Sequence, residues 1–211
     1  MKLTLDHFRK AFKGKKPAAI GNHYYFSVLI PLVEKNGELF VLYEVRAKHM
    51  ASQPGEVCFP GGHVETEEDP CCTALRETFE EIGISSEKIE LIGAGNILYG
   101  YANYTLYTYL GIIRYEDYLN ADLSLNEVDE IFLVRIADLE EHFPQVFREE
   151  VRAKIDDDFP YDKLGIGKDY RWRTGIWEIP VYDIDGRIIW GLTARITANL
   201  IEEVRKIFPK D

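Results

Sequence analysis

A glycine-rich turn, Phe59-Pro60-Gly61-Gly62, leads into a segment that carries Glu77, Glu80 and Glu81. This arrangement constrains the chain more than any other. Asp69 suits an N-cap, Pro70 the first helical position and Gly83 the C-cap, so the spacing predicts a helix over Pro70–Ile82. At about 100° per residue, Cys72, Phe79 and Ile82 fall within roughly 60° of Leu75, an apolar stripe expected to face the core. Glu77, Glu80 and Glu81 fall between roughly 140° and 240° on the same wheel and are expected together on the opposite face. Glu77 and Glu81 are a like-charge i,i+4 pair, which opposes the helix by a few tenths of a kcal/mol, about what one such pair costs. Arg76 offers relief through Glu80. A solvated acidic face is the ordinary reading of such a helix. The glycine-rich turn argues for more, because it lets backbone carbonyls and amides approach a ligand closely. Clustered carboxylates with an exposed carbonyl make an all-oxygen site for a hard cation, Mg²⁺ or Mn²⁺.

The rest of the chain reads as sheet with helices interspersed. Leu5, Phe8 and Phe12 predict a short helix over about 3–14, with Lys13, Lys15 and Lys16 on a solvated face. Tyr24–Val33 and Leu39–Val45 are β-rich runs joined through Asn36-Gly37, a strong hairpin signal. A loop is expected from Arg46 to Gly62. Further strands are expected over Ile89–Ile97, Thr105–Arg114 and Glu130–Val134, and a short helix over Ile136–His142. Trp177–Asp183 and Arg187–Trp190 flank Asp185-Gly186 as a second hairpin. Ile196, Leu200, Val204 and Ile207 share one face of a final helix expected to pack onto the body. Residues from Pro144 to Trp172, with the run Asp156-Asp157-Asp158, are expected to form a long loop or an inserted helix. No repeat or linker divides the chain, so one layered α/β or α+β domain over 1–211 is expected.

Apolar residues at 46 % and aromatics at 13 % exclude a mainly disordered chain. A net charge of −11 repels polyphosphate backbones, which argues against nucleic acid as partner. A small anionic substrate stays compatible where local cations or a metal reverse the sign. Cys58, Cys71 and Cys72 are odd in number, and two are adjacent, so no disulfide framework fits and a reducing compartment is expected. The N-terminal residues lack the apolar core of a signal peptide. The longest apolar run, Tyr24–Val33, holds Pro31 and is too short to span a bilayer. A soluble cytoplasmic protein without a membrane partner is expected, and a homodimer is left open.

From Gly62 the fixed spacing continues through Glu68, Arg76-Glu77-Thr78, Glu80-Glu81 and Gly83-Ile84. The pattern resembles the Nudix box over residues 62–84. Thr78 is the one departure, where that family usually carries an aliphatic residue. The resemblance implies a Nudix fold, a mixed β-sheet between helices (α/β/α), and hydrolysis of a phosphoanhydride bond in a nucleoside diphosphate compound. It implies Glu77 and Glu81 as metal ligands, Glu80 as a further one, and the Gly61 carbonyl in the inner shell. Arg76 would hold Glu77, Gly62 would let the loop turn, and Glu68 would brace the loop–helix junction. Arg76, Glu77 and Glu80 are the expected catalytic residues. Bound Mg²⁺ or Mn²⁺ neutralises charge and lowers the pKa of a coordinated water, and a glutamate takes the proton. Glu77 and a distal carboxylate are both candidates for that base. The distal carboxylate would come from Glu127 or Glu130, with Glu127 preferred.

The segment upstream narrows the substrate. Arg46-Ala47, Gly55 and Phe59-Pro60-Gly61-Gly62 resemble the signature of coenzyme A pyrophosphatases within that superfamily. Ile189-Trp190-Gly191-Leu192-Thr193-Ala194-Arg195 resembles the start of the last helix in the same subgroup. Two positions depart. A second arginine is Ala51 here, with Lys48 and His49 as nearby substitutes, and an early Leu-Leu-Thr is Leu42-Tyr43-Glu44. The resemblance implies Arg46, Gly55, Phe59 and Pro60 as substrate contacts. It implies cleavage of coenzyme A into 4′-phosphopantetheine and adenosine 3′,5′-bisphosphate. Plainer roles stay open: Arg46 in a rim salt bridge, Phe59 and Pro60 as loop shapers, Trp190-Gly191 in helix–sheet packing, Arg195 as structural or exposed. Another nucleoside diphosphate compound such as ADP-ribose is the competing substrate. A catalytically silent ligand sensor would tolerate loss of box glutamates, and all of them are present.

Overall fold

The computed structural model describes residues 2–210. Helix α1 (Leu5–Phe12) precedes strands β1 (Tyr24–Lys35) and β2 (Glu38–Arg46). Asn36 and Gly37 join these strands with φ of 54° and 79°, the doubly left-handed geometry of a two-residue hairpin. Then come β3 (Val57–Cys58), β4 (Gly61–His63), α2 (Pro70–Ile82), β5 (Ile89–Ala94), β6 (Leu98–Gly100) and β7 (Tyr104–Arg114). The chain continues through α3 (Tyr115–Leu119), β8 (Val128–Arg135), α4 (Ile136–Glu141), β9 (Gln145–Arg152), α5 (Tyr161–Leu164), β10 (Thr174–Ile184), β11 (Arg187–Trp190) and α6 (Gly191–Ile207).

Strand β1 organises a mixed sheet. It pairs in parallel with β7 from Tyr24 to Glu34, and antiparallel with β4 at Phe26–Val28 and β2 at Leu32–Lys35. Strands β3 and β8 lie against β2, while β5 and β6 lie against β7. Strands β11, β10 and β9 make a second, antiparallel sheet. Alternation along a strand sends successive side chains to opposite faces. Leu29, Val33 and Leu42 therefore meet Ala74 and Ile82 of α2 on one face. Ile30, Val41 and Tyr43 meet Tyr182, Ile189, Ala194 and Ile196 of the small sheet and α6 on the other. The expected layering, a mixed sheet flanked by helices, is what the chain forms. No helix among the described residues is long and apolar enough to cross a membrane.

Four expectations are corrected. Helix α2 does not present Cys72 and Phe79 to the core, and Leu75 packs against it only partly buried. Its buried residues are Thr73, Ala74, Thr78, Glu81 and Ile82, and Phe79 is 55 % exposed. Small side chains let the helix lie close on β1, where the Ser27 hydroxyl donates to the Pro70 carbonyl at 2.5 Å. Thr78 is buried without penalty because its hydroxyl donates to the Ala74 carbonyl at 2.6 Å. Second, the stretch expected as loop or inserted helix contains β9, which pairs with β10 from Gln145 to Arg152, and the short α5. Third, the apolar face of α6 packs through Ile196 and Leu200 but not at its end. Ile196 is buried, but Val204 is exposed and Ile207 is 72 % exposed. Fourth, the strand expected over Ile89–Ile97 stops at Ala94.

Tyr43 couples the layers. It is fully buried, its ring stacks on Phe59 and Phe132 at centroid distances of 5.0 and 5.7 Å, and its hydroxyl pairs with Thr197 Oγ1 at 2.9 Å. Tyr43→Phe keeps the packing and removes that hydrogen bond, so it should cost about 1 kcal/mol. Urea unfolding measures the loss. An unchanged midpoint would show that the hydroxyl contributes nothing.

Candidate functional site

Helix α2 begins where expected. Asp69 accepts a hydrogen bond from the Cys71 amide at 2.9 Å, Pro70 opens the helix, and Gly83 ends it with φ of 70°. Downstream amides then meet its last carbonyls: Asp122 N–H donates to Ile82 at 3.1 Å and Ser124 N–H to Glu81 at 2.9 Å. This brings the turn that carries Glu127 beside the acidic end of the helix.

Arg76 is the brace. Its guanidinium lies 3.0 Å from Glu68, 2.9 Å from Glu77 and 3.0 Å from Glu80. Glu68 also accepts from the Thr73 hydroxyl at 2.7 Å and the Glu65 amide at 3.2 Å, so it ties the loop to the first turn of α2. Arg76 and these donors hold the Glu68 carboxyl down at about 2.

The three helix carboxylates are not together on one solvated face, which corrects the helical-wheel expectation. Glu80 is exposed, Glu77 is half-buried, and Glu81 turns inward at 5 % exposure. The Gly61 amide donates to Glu81 Oε2 at 2.8 Å. Burial raises Glu81 above the usual carboxylate range, the Glu44 carboxylate raises it further, and Glu77 and Glu127 add to this. Burial also raises Glu77, while Arg76 lowers it. Among the described residues, no three His, Cys, Asp or Glu side chains already converge as a metal cage. Glu77 is drawn to Arg76 and Glu81 to Gly61. The donor set nonetheless fits a hard cation: several half-buried or buried carboxylates, and one buried carboxylate oxygen, Glu44 Oε2, without a hydrogen-bond partner.

The turn accounts for the close approach. A Cβ on Gly61 would lie 2.3 Å from the Ser27 carbonyl oxygen, and one on Gly62 would lie 2.4 Å from the Glu77 carboxylate. These residues floor a cavity of about 760 Å³, together with Cys58, Glu77, Glu81 and Glu127. Arg46 stands on its wall, with its Nε 3.4 Å from the Ser52 carbonyl. Glu130 is engaged elsewhere, with both carboxylate oxygens on Arg187 at 2.6 and 3.2 Å.

The other expected contacts divide. Phe59 is 3 % exposed and stacked on Tyr43, and it reaches the cavity only as part of its wall. Pro60 is buried off the wall, where its carbonyl accepts from Leu29 N–H at 2.9 Å. Gly55 is a turn residue off the wall, with φ of 72° and its amide on the Arg46 carbonyl at 3.0 Å. Lys48 and His49 are exposed and also off the wall. Trp190 and Gly191 line the cavity, rather than only packing helix against sheet. Arg195 lies over the Trp177 ring at 4.4 Å.

Sequence reasoning missed Tyr101, Tyr104 and Trp177, which make an aromatic wall, and Glu149 of β9. It also missed Glu44, which is buried on β2 with Cys58 Sγ donating to its Oε1 at 3.1 Å. The available signal was strand alternation, which sends Glu44 to the same face as Leu42.

The model of the NUDIX domain matches residues 23–155, more than half of the chain. The chain belongs to the NUDIX family. Nudix hydrolase 3 of Caenorhabditis elegans is 41 % identical over 115 residues, 54 % of this chain and 48 % of that protein. The peroxisomal coenzyme A diphosphatase NUDT7 of Mus musculus is 35 % identical over 138 residues, 64 % of this chain and 56 % of that protein. The chain thus spans about half the length of these two relatives. A MutT/nudix family protein from Enterococcus faecalis shares the fold, with a TM-score of 0.50 at 16 % identity over 99 % of this chain and 71 % of that one.

In this NUDIX chain, Gly62→Ala tests the cradle around Glu77. Alanine is conformationally acceptable at Gly62, which is not in the left-handed region, but its methyl would displace the carboxylate. Misplacing a reacting group by about 1 Å costs on the order of 100-fold in rate. The hydrolysis proposed below should fall by about that factor with the circular dichroism spectrum unchanged. Full activity would show that the position of Glu77 is unimportant.

Proposed function

We propose that this chain is a metal-dependent diphosphate hydrolase acting on coenzyme A or its thioesters, releasing 4′-phosphopantetheine and adenosine 3′,5′-bisphosphate. The observation that carries the reading is the juxtaposition of Glu77, Glu81 and Glu127 on the floor of one cavity whose wall holds Arg46. Glu77, Glu81, the more exposed Glu80 and the Gly61 carbonyl would hold the cation, with Mg²⁺ or Mn²⁺ suited to oxygen donors. When bound, such an ion offsets the diphosphate charge and makes water a better nucleophile. Arg76 keeps Glu77 oriented while leaving part of its carboxylate free. Arg46 is suited to two parallel hydrogen bonds with phosphate oxygens. Glu77 or Glu127 takes the proton from the attacking water. The cytoplasm is the proposed compartment, on the three free thiols.

Two features favour a large adenylated substrate. Tyr101, Tyr104, Trp177 and Trp190 offer aromatic faces to a base. Helix α6 starts at the cavity wall without a side-chain cap, and a helix N-terminus favours anions. The likeness to the mouse coenzyme A diphosphatase supports coenzyme A over the alternatives. ADP-ribose is the second reading, favoured by Ala51 where the subgroup it resembles has arginine.

Steady-state assays separate these. Coenzyme A should be cleaved with higher kcat/KM than ADP-ribose. A tenfold advantage for ADP-ribose, about 1.4 kcal/mol of transition-state preference, would overturn the coenzyme A reading and leave diphosphate hydrolysis standing. Glu81→Gln should abolish turnover of both while the fold persists, since it removes a buried charge and leaves an acceptor for the Gly61 amide. Arg46→Lys should lower kcat/KM despite retaining the charge, because an ammonium lacks the planar fork. Ala51→Arg, beside the wall residues Met50 and Ser52, should raise coenzyme A cleavage. Parental values in both loop variants would move substrate recognition to the aromatic wall.

A further inference from the structure

Glu44 faces Cys58 across the β2–β3 pair, and its side chain is buried, with 1 % of the residue exposed. One carboxylate oxygen accepts from the Cys58 thiol at 3.1 Å, and the other has no partner. Native proteins rarely leave a buried acceptor unpaired, because its lost hydration is not repaid. The charges that bear on Glu44 make this worse. Glu127 and Glu77 repel it, and Arg46 is the positive group that offsets them. Glu44 in turn raises Glu81 more than any other carboxylate does. A core position with only a structural task would be better filled by a neutral side chain, since strand β2 offers Glu44 no ion pair.

We infer that Glu44 is a further carboxylate of the cation site, clamped at one oxygen by Cys58 and presenting its free oxygen toward the ion that Glu77 and Glu81 would hold. The ligand class is a divalent cation that prefers oxygen donors. The inference rests on the metal-dependent reading above and adds a residue outside the helix. Glu44 thereby links cation retention to the sheet: the ion is held between α2 and β2, and the β3 thiol sets the angle of one donor.

Mn²⁺ titration of the full chain without substrate tests this, with free Mn²⁺ followed by its paramagnetic resonance signal. Glu44→Gln and Glu44→Thr should each weaken Mn²⁺ binding at least tenfold. Each should also raise the melting temperature of the metal-free protein, because a repelling buried charge is gone. Glu81→Gln serves as the reference and should weaken binding as well. Parental Mn²⁺ affinity in the Glu44 variants, with affinity lost in Glu81→Gln, would overturn the role of Glu44 and leave the metal-dependent reading intact. Parental affinity in all three would overturn both. Failure of both Glu44 variants to fold would assign Glu44 to the core and overturn the inference.

Discussion

The amide of Gly61 donates to the Glu81 carboxylate at 2.8 Å, tying the sheet to the helix where the chain has least room. Gly61 is paired with Val28 in the β4–β1 ladder, so its amide is fixed by the sheet. Glu81 is fixed by the close approach of α2, which small side chains at positions 73, 74 and 78 permit. Each half requires the other. A larger residue on that face of α2 would lift Glu81 off the turn, and a side chain at Gly61 would run into the β1 backbone. The remaining carboxylates are placed relative to this contact, with Arg76 drawing Glu77 and Glu80 outward and Glu44 lying inward beside Glu81.

Such a concentration of carboxylates opposes folding. Desolvation and mutual repulsion raise Glu44, Glu77 and Glu81, with Arg46 offsetting Glu44 and Arg76 offsetting Glu77. In the metal-dependent reading proposed above, a divalent cation at this site would be worth far more than in water, because the same low dielectric amplifies attraction. Binding to the native state alone also adds stability by mass action. In that reading, fold stability and cation binding would be linked through the same few side chains.

How far the sequence could be read depended on how local the determinants were. The caps of α2, Asp69 and Gly83, and the Asn36-Gly37 hairpin are short-range features, and they are found where expected. The facing of α2 differs from the wheel because hydrophobicity alone puts Cys72 and Phe79 inward, whereas helix–sheet distance selects small residues and the Gly61 amide holds Glu81 in. Strand β9 was hidden because Gln145, Arg148, Glu149, Glu150 and Arg152 give it no apolar face, and its identity comes from pairing with β10. Glu44 was visible only as a departure from a motif. Its meaning lies in neighbours that are distant along the chain.

The carboxylates and the aromatic residues gathered at the cavity come from different layers of the fold. The carboxylates come from α2, from Glu44 of β2 and from Glu127 in the turn before β8. The aromatic wall comes from residues 101–104 and from the small sheet and α6, much of it beyond residue 155, where the family match ends. The two sets must be held in register, and two contacts do this. The Thr193 hydroxyl of α6 donates to the Val57 carbonyl of β3 at 3.0 Å, and Thr197 one turn later pairs with Tyr43 of β2. The start of α6 is thereby pinned over the strands that present Arg46 and Cys58. Helix α6 fixes the distance between the aromatic wall and the carboxylate floor, and that distance is set by packing between the layers rather than by α2 itself.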